Sequence, residues 1–508
     1  MPKRSAGCFA CRARKVRCDE TKPECNTCVR RGAKCPGYRP AQAFIHHEFD
    51  DERGPAVIRE DETQYIYINQ TESSSRSRES AAVVMHRTTP RIVDVPVPQQ
   101  VSTVAADRIQ YLDSFVTLYL PNERGKPLTP PSALVMALPY TPTSREVLAA
   151  ALDSVSAAQL AIVHRSLPLI YRSRALYGVA LGLLMRSITN RTSSFEDETL
   201  FAMYLLAIYE VFVGITNGNG FFYHVQGLMR LLRERGPESI KRRALTLNLF
   251  HGIRYFCVGL GLTLRRASML DTPSWLAITA ETAKISSWVA LMDICIQIPR
   301  LLERYDKLTQ GSSPSSEFST LLSDCNKLHQ SSQAWFSSFE KNGIPHYSPV
   351  PISEIEGYSG ISYDGKSYKT VFKFTSFGTS NTYMLYWMSI LILRSTMFTI
   401  TRTLSTTLPL TPLQIYAWVS ELDAYAHSIC RGVPFSTRPA AGFTGRFATL
   451  GPLSVAQRYF AKVGNEKEAK WCEDAFLGTS VPGLYTPPLT IQAEKHRARR
   501  ELEREDVV

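Results

Sequence analysis

Along most of this chain apolar residues recur every three or four positions. In FEDETLFAMYLLAIYEVFVG, Leu200, Met203, Tyr204, Ala207, Ile208, Val211 and Phe212 follow the i, i+3, i+4, i+7 rule and predict a helix with one shared apolar face. Ser193 with Glu196 offers a capping box at its start, and Gly214 ends it. Similar periodicity predicts helices near 144–165, 168–187, 222–235, 243–267, 278–308, 315–340, 380–402, 411–430 and 453–477. Strict alternation is nearly absent, with 368–374 as the one candidate strand. The first hundred residues lack either period. Ser, Thr, Arg and Glu dominate 70–91, Pro90, Pro96 and Pro98 follow, and no sustained heptad appears, so this stretch reads as a disordered tether without a coiled coil. His46 and His47 read as a solvated pair within it.

The expected organisation is a small cysteine-rich module at 1–40, a disordered linker at 41–105, a large all-α domain at 106–487 and a charged tail at 488–508. The longest apolar runs, 175–185 and 383–393, are too short to span a bilayer, so no membrane partner is expected. No apolar run follows Met1-Pro2-Lys3-Arg4, which argues against a secretory leader and for a reducing compartment.

Charge changes the picture at one end. The chain carries a net +12 over 508 residues, yet residues 1–40 hold eleven Lys and Arg against only Asp19, Glu20 and Glu24. A basic module on a nearly neutral body implies a polyanionic partner. The same stretch holds six of the eleven cysteines, Cys8, Cys11, Cys18, Cys25, Cys28 and Cys35, as C-x2-C-x6-C-x6-C-x2-C-x6-C. Each C-x2-C lets two thiolates converge on one ion, and the third cysteine can return to it. Three thiolates per half leave each zinc one short of a tetrahedron. Two ions therefore reach four ligands apiece only if two thiolates bridge. A disulfide knot lacks a secretory context, and a metal store would not need basic spacers at fixed offsets.

CFACRARKVRC and CNTCVRRGAKC together resemble the binuclear zinc cluster of fungal transcription factors, in which six cysteines share two zinc ions. The resemblance implies that Cys8 and Cys25 bridge, that Cys11 and Cys18 complete one zinc site and that Cys28 and Cys35 complete the other. It further implies a first short helix over 12–17 in the DNA major groove, with Lys15 reading a CGG triplet. Arg12, Arg14 and Arg17 would then serve as phosphate contacts and cluster neutralisers, with Arg30 and Arg31 approaching the backbone from the second helix. Pro23 matches the proline of the loop between the halves.

In the body, HVQGLMRLLRERGP from His224, RRASMLDTPSW ending at Trp275 and GPLSVAQRYF from Gly451 resemble motifs of the second type of fungal-specific regulatory domain. His224, Arg230, Arg233 and Arg235 read as structural or solvated, and Cys257, Cys295, Cys325, Cys430 and Cys472 as buried thiols. One motif competes. GISYDGKS at 360–367 fits the phosphate-cradling loop G-x4-G-K-S, and Asp293 in VALMD imitates its magnesium carboxylate. A working loop needs a strand before it and a helix after it, and neither flank reads that way. The expectation is a nuclear, zinc-dependent, sequence-specific regulator of RNA polymerase II transcription rather than an enzyme, acting on a metabolic or secondary-metabolite gene cluster. Double-stranded DNA is its expected partner. A second copy, the transcription machinery and a small-molecule effector are further candidate partners. The alternative is an ATP-binding protein that uses the 360–367 loop and a zinc targeting module.

Overall fold

The computed structural model describes residues 8–21, 25–33 and 35–36, and then 103–479 apart from 124, 127, 139–145, 165, 191–195, 214–218, 241–243, 312–313, 342–345, 357–367 and 406–408. Pro23, His46, His47, Ser193, the 360–367 loop, most of the expected linker and the charged tail lie outside the described residues. The chain divides into two compact units, Met1–Pro96 and Val97–Val508.

In the first unit, α1 (Phe9–Ala13) and α2 (Asn26–Val29) each follow a cysteine. The second unit begins with α3 (Thr103–Tyr119), α4 (Pro130–Met136), α5 (Glu146–Val163), α6 (Leu167–Thr189), α7 (Asp197–Val213), α8 (Asn219–Arg235) and α9 (Ala244–Leu264). It continues through α10 (Pro273–Ile285), α11 (Ser287–Cys295), α12 (Ile298–Gln310) and α13 (Ser315–Glu340) to an antiparallel ribbon. There β1 (Tyr347–Pro351) pairs with β2 (Thr370–Phe374), Pro349 opposite Phe372. The last helices are α14 (Phe377–Leu404), α15 (Pro412–Thr437), α16 (Gly442–Val463) and α17 (Glu466–Thr479).

The unit is mostly helical and departs from the sequence reading in several places, among them the 453–477 stretch, which Gly464 breaks into α16 and α17. The helix α7 does not present a single face, because every residue from Leu200 to Glu210 is buried. The periodic stretch at 278–308 is three helices. Ser286 starts α11 by accepting from the Val289 amide, and Pro299 sits in the first turn of α12, where its missing N–H costs nothing. The strand β1 was hidden by its two prolines, which an edge strand tolerates.

Long-range ties make the second unit one body. The Glu123 carboxylate pairs with Arg438 and accepts the Phe377 amide at 2.7 Å. Thr444 donates to the Tyr119 carbonyl at 2.6 Å. Buried Tyr383 and Trp387 of α14 pack against Tyr347, Phe372 and Phe374 of the ribbon, with ring centroids 5.1–6.2 Å apart. The helices Glu146–Val163 and Phe377–Leu404 are long and apolar enough to cross a bilayer, the second extending well past the 383–393 run, but both are mostly buried within the fold.

The three stretches singled out in the body of the sequence form corners of this unit. In RRASMLDTPSW, Arg265 is bidentate to Asp306, Arg300 grips Asp271 with two bonds of 2.6 Å, and Trp275 stacks on Phe250. Gly227 lets α8 approach α7, since a Cβ there would stand 2.8 Å from the Met203 sulfur. Gly236 ends α8 at φ 71°. The nucleotide-loop reading meets a contrary frame. The strand β2 follows 360–367 where a helix is required, β1 before it is antiparallel, and Asp293 is engaged by Arg254 and by the Thr279 hydroxyl at 2.8 Å.

Candidate zinc centre and nucleic-acid interface

The first unit is built twice on a 17-residue offset, which maps Cys8, Cys11 and Cys18 onto Cys25, Cys28 and Cys35. Cys25 caps α2 with its sulfur, which accepts the Cys28 amide at 3.3 Å, and the Cys8 sulfur accepts the Cys11 amide at 3.4 Å. A helix N-terminus favours a thiolate at that position. Both helices then end in the same left-handed turn. Lys15 has φ 55° and Gly32 φ 65°, with Val16 N donating to Cys11 O at 3.0 Å and Ala33 N to Cys28 O at 3.2 Å. That turn sends the third cysteine back to the first two, and Cys8 N donates to the Cys18 sulfur at 3.4 Å. The first helix is thus 9–13 rather than 12–17, because the chain must reverse at Lys15 for Cys18 to return.

Two sets of four sulfurs result, Cys8, Cys11, Cys18, Cys25 and Cys8, Cys25, Cys28, Cys35, with the atoms of each within 4.8 Å of one another. Cys8 and Cys25 belong to both. The Cys8–Cys25, Cys8–Cys28 and Cys11–Cys25 sulfur separations are 3.5, 3.8 and 3.7 Å. A tetrahedral zinc with sulfur at about 2.3 Å needs edges of about 3.8 Å. Packed as thiols, Cys8, Cys11, Cys25 and Cys28 are pushed above the ordinary cysteine range, burial being the first cause. A divalent cation is what turns such a set into thiolates. Six soft sulfurs with no carboxylate or imidazole among them suit zinc and not magnesium or calcium.

Two side chains brace the sulfurs: Arg14, expected as a phosphate contact and cluster neutraliser, and Asp19, to which the sequence assigns no role. Arg14 donates to the Cys28 sulfur at 3.3 Å and to the Ala10 carbonyl at 3.1 Å, joining the two halves with a positive charge. Asp19 accepts the Asn26 and Thr27 amides at 3.0 and 3.1 Å, closing the start of α2 from outside. The Thr21 hydroxyl, 2.5 Å away, and those amides hold the Asp19 carboxyl well below the usual carboxylate range. In the sequence it counted only as an acid among bases. Lys15, Arg17, Arg30 and Arg31 are exposed on the shell; the Arg12 side chain lies outside the described residues.

Residues 6–43 match the model of the fungal Zn(2)-Cys(6) binuclear cluster domain. Such a domain binds two zinc ions, and the chain carries it as a DNA-binding zinc module. The aspercryptin biosynthesis cluster-specific transcription regulator atnN of Emericella nidulans is 53% identical over 34 residues, 7% of this chain and 6% of that protein. The Zn(2)-C6 fungal-type transcription factor afumD of Aspergillus fumigatus is 50% identical over 40 residues, 8% of this chain and 11% of that one. An uncharacterized Emericella nidulans protein is 24% identical over 234 residues, 42% of this chain and 50% of its own length, a stretch longer than the first unit. The chain thus spans half or less of the curated relatives it matches. No solved structure matches.

Proposed function

We propose that this protein is a nuclear, sequence-specific regulator of RNA polymerase II transcription whose zinc module reads CGG-type triplets in duplex DNA. Cys8, Cys11, Cys18, Cys25, Cys28 and Cys35 hold the two ions, with Cys8 and Cys25 shared. The observation that carries the reading is the doubled, sulfur-centred fold with Lys15, Arg17, Arg30 and Arg31 exposed around it. The Lys15 ammonium leaves the shell at the turn that ends α1 and donates to guanine O6 and N7, acceptors that only guanine offers together in the major groove. Arg12, Arg17, Arg30 and Arg31 meet phosphates, which set position and affinity. Arg14 divides its charge between phosphate and the Cys28 sulfur.

The helical body regulates rather than catalyses. It is proposed to pair with a second copy, since one triplet is too short a site, to contact the transcription machinery and to respond to a small-molecule effector. Control of a metabolic or secondary-metabolite gene cluster is part of the proposal, supported by the likeness of the zinc module to that of a cluster-specific regulator. Binding titrations on CGG and scrambled duplexes test the reading. Lys15→Ala should cost about 1–3 kcal/mol on CGG and far less on the scrambled duplex. Equal losses on both would reduce Lys15 to a phosphate contact.

A further inference from the structure

The outer face of α6 has an unusual makeup for a helix end-to-end in contact with solvent. Leu167, Tyr171, Val179 and Met185 are 63, 50, 57 and 64% exposed, while Ser173, Tyr177, Ala180 and Leu184 on the opposite side are buried. At 100° per residue, Tyr171, Gly178 and Gly182 run along the middle of the exposed face. Glycine inside a helix is unfavourable relative to alanine. Nothing in the fold asks for it here, because a Cβ at Gly178 or Gly182 would meet no atom within 4 Å. The glycines leave a shallow track, walled by Val179 on one side and Met185 on the other.

Charge selects what would lie in that track. The helix has no Asp or Glu and carries Arg172, Arg174 and Arg186. Arg172 is turned away to Tyr111, donating to its hydroxyl at 3.2 Å. Arg174 and Arg186 are exposed, and neither side chain has a carboxylate partner among the described residues. They stand on opposite edges of the face and bracket the stretch that holds Gly178, Val179, Gly182 and Met185, twelve residues or about 18 Å apart along the axis. A second copy of α6 laid on this face would gather four arginines at the corners of the contact with no carboxylate from either helix, which disfavours self-pairing.

We propose that this face of α6 docks an amphipathic helix of a partner protein that is apolar on its contact side and bears carboxylates at both ends of that contact. The partner backbone approaches at Gly178 and Gly182, and its carboxylates reach Arg174 and Arg186 diagonally across the track. This surface belongs to the helical body and does not depend on how the zinc module reads DNA.

The probe is a labelled 21-residue helical peptide with Leu and Ala on one face and two Glu residues twelve positions apart, titrated against the full chain by fluorescence anisotropy. A twin peptide carries Lys at those two positions. The full chain should bind the Glu peptide and not the Lys peptide. Arg174→Glu combined with Arg186→Glu should weaken the Glu peptide about five- to thirtyfold and bring in the Lys peptide. Val179→Asp should abolish binding of the Glu peptide to the full chain and of the Lys peptide to the double reversal. If the double reversal lowers helix content, Arg174→Gln with Arg186→Gln should still weaken the Glu peptide. Duplex binding and zinc content, read in the same samples, should not change, which keeps failure here separate from failure of the DNA reading. Equal binding of both peptides, binding of neither, or a Glu peptide indifferent to the arginine changes would overturn the proposal. So would phosphatidylserine vesicles or random duplex displacing the peptide through the same arginines, which would assign the face to lipid or nucleic acid.

Discussion

Lys15 occupies the left-handed backbone region at φ 55°, where its repeat partner is Gly32 at φ 65°. A side chain costs roughly 1–2 kcal/mol in that conformation, and a non-glycine residue there implies a use for the side chain. Lys15→Gly should therefore raise the thermal stability of the zinc-loaded module by about 0.5–1 kcal/mol while erasing its preference for CGG. A stability loss in melting of residues 1–100 would contradict this. Arg14 and Arg17 should separate as well. Arg14→Gln removes the bond to the Cys28 sulfur and should lower zinc affinity about tenfold in a chelator competition. Arg17→Gln should leave zinc affinity alone and flatten the salt dependence of DNA binding by about one unit. The cysteine spacing made the two-ion chemistry legible in the sequence. The turn at residue 15 was not, because a lysine gives no signal for a left-handed backbone until its alignment with Gly32 is noticed. Asp19 was also missed, since its partners Asn26 and Thr27 are seven and eight residues away.

Helix existence along the body was legible because its apolar period is strong; breaks and faces were less so. The helix α7 shows 3.6-residue periodicity and is nevertheless buried from Leu200 to Glu210, because α5, α6 and α8 pack around it. Charged residues inside the body are equally invisible to periodicity. Arg254 of α9 is 1% exposed, lies against the Phe250 ring and pairs with Asp293 of α11. Burial pulls its pKa down and Asp293 pulls it back up. Asp293→Asn keeps the shape and removes the counter-charge, so it should destabilise the body by about 3 kcal/mol in urea unfolding. An unchanged midpoint would mean that Arg254 finds water or another acceptor.

At the scale of the whole molecule, all six tryptophans, Trp275, Trp288, Trp335, Trp387, Trp418 and Trp471, lie in the second unit, so tryptophan fluorescence reports its unfolding alone. Burial lowers the pKa of His251 to about 3 and that of His224 to about 4, from an ordinary 6.5. Neither His251 nitrogen has a hydrogen-bond partner among the described residues, whereas His224 Nε2 lies 3.0 Å from the Tyr177 hydroxyl. Between pH 4 and 6.5 the unfolded chain binds protons at these positions that the folded one refuses. Their contribution is therefore complete above pH 6.5 and is lost as pH falls toward 4, by at most about 1.4 kcal/mol per pH unit for each histidine. The urea midpoint should drop between pH 7 and pH 5, and His251→Leu should reduce the drop; a drop of the same size in that variant would place the titration elsewhere.

The presence of Cys8 and Cys25 in both sulfur sets has a consequence for life under zinc scarcity. On the proposed ligand set, a single ion in either set engages Cys8 and Cys25 fully, so the second ion has to share two thiolates already bound and sit close to a like charge, which makes it the more weakly held of the two. As free zinc declines, these chains should therefore pass through a one-ion form before emptying, and their capacity to read DNA should fall in two stages spread over a broad range of zinc supply.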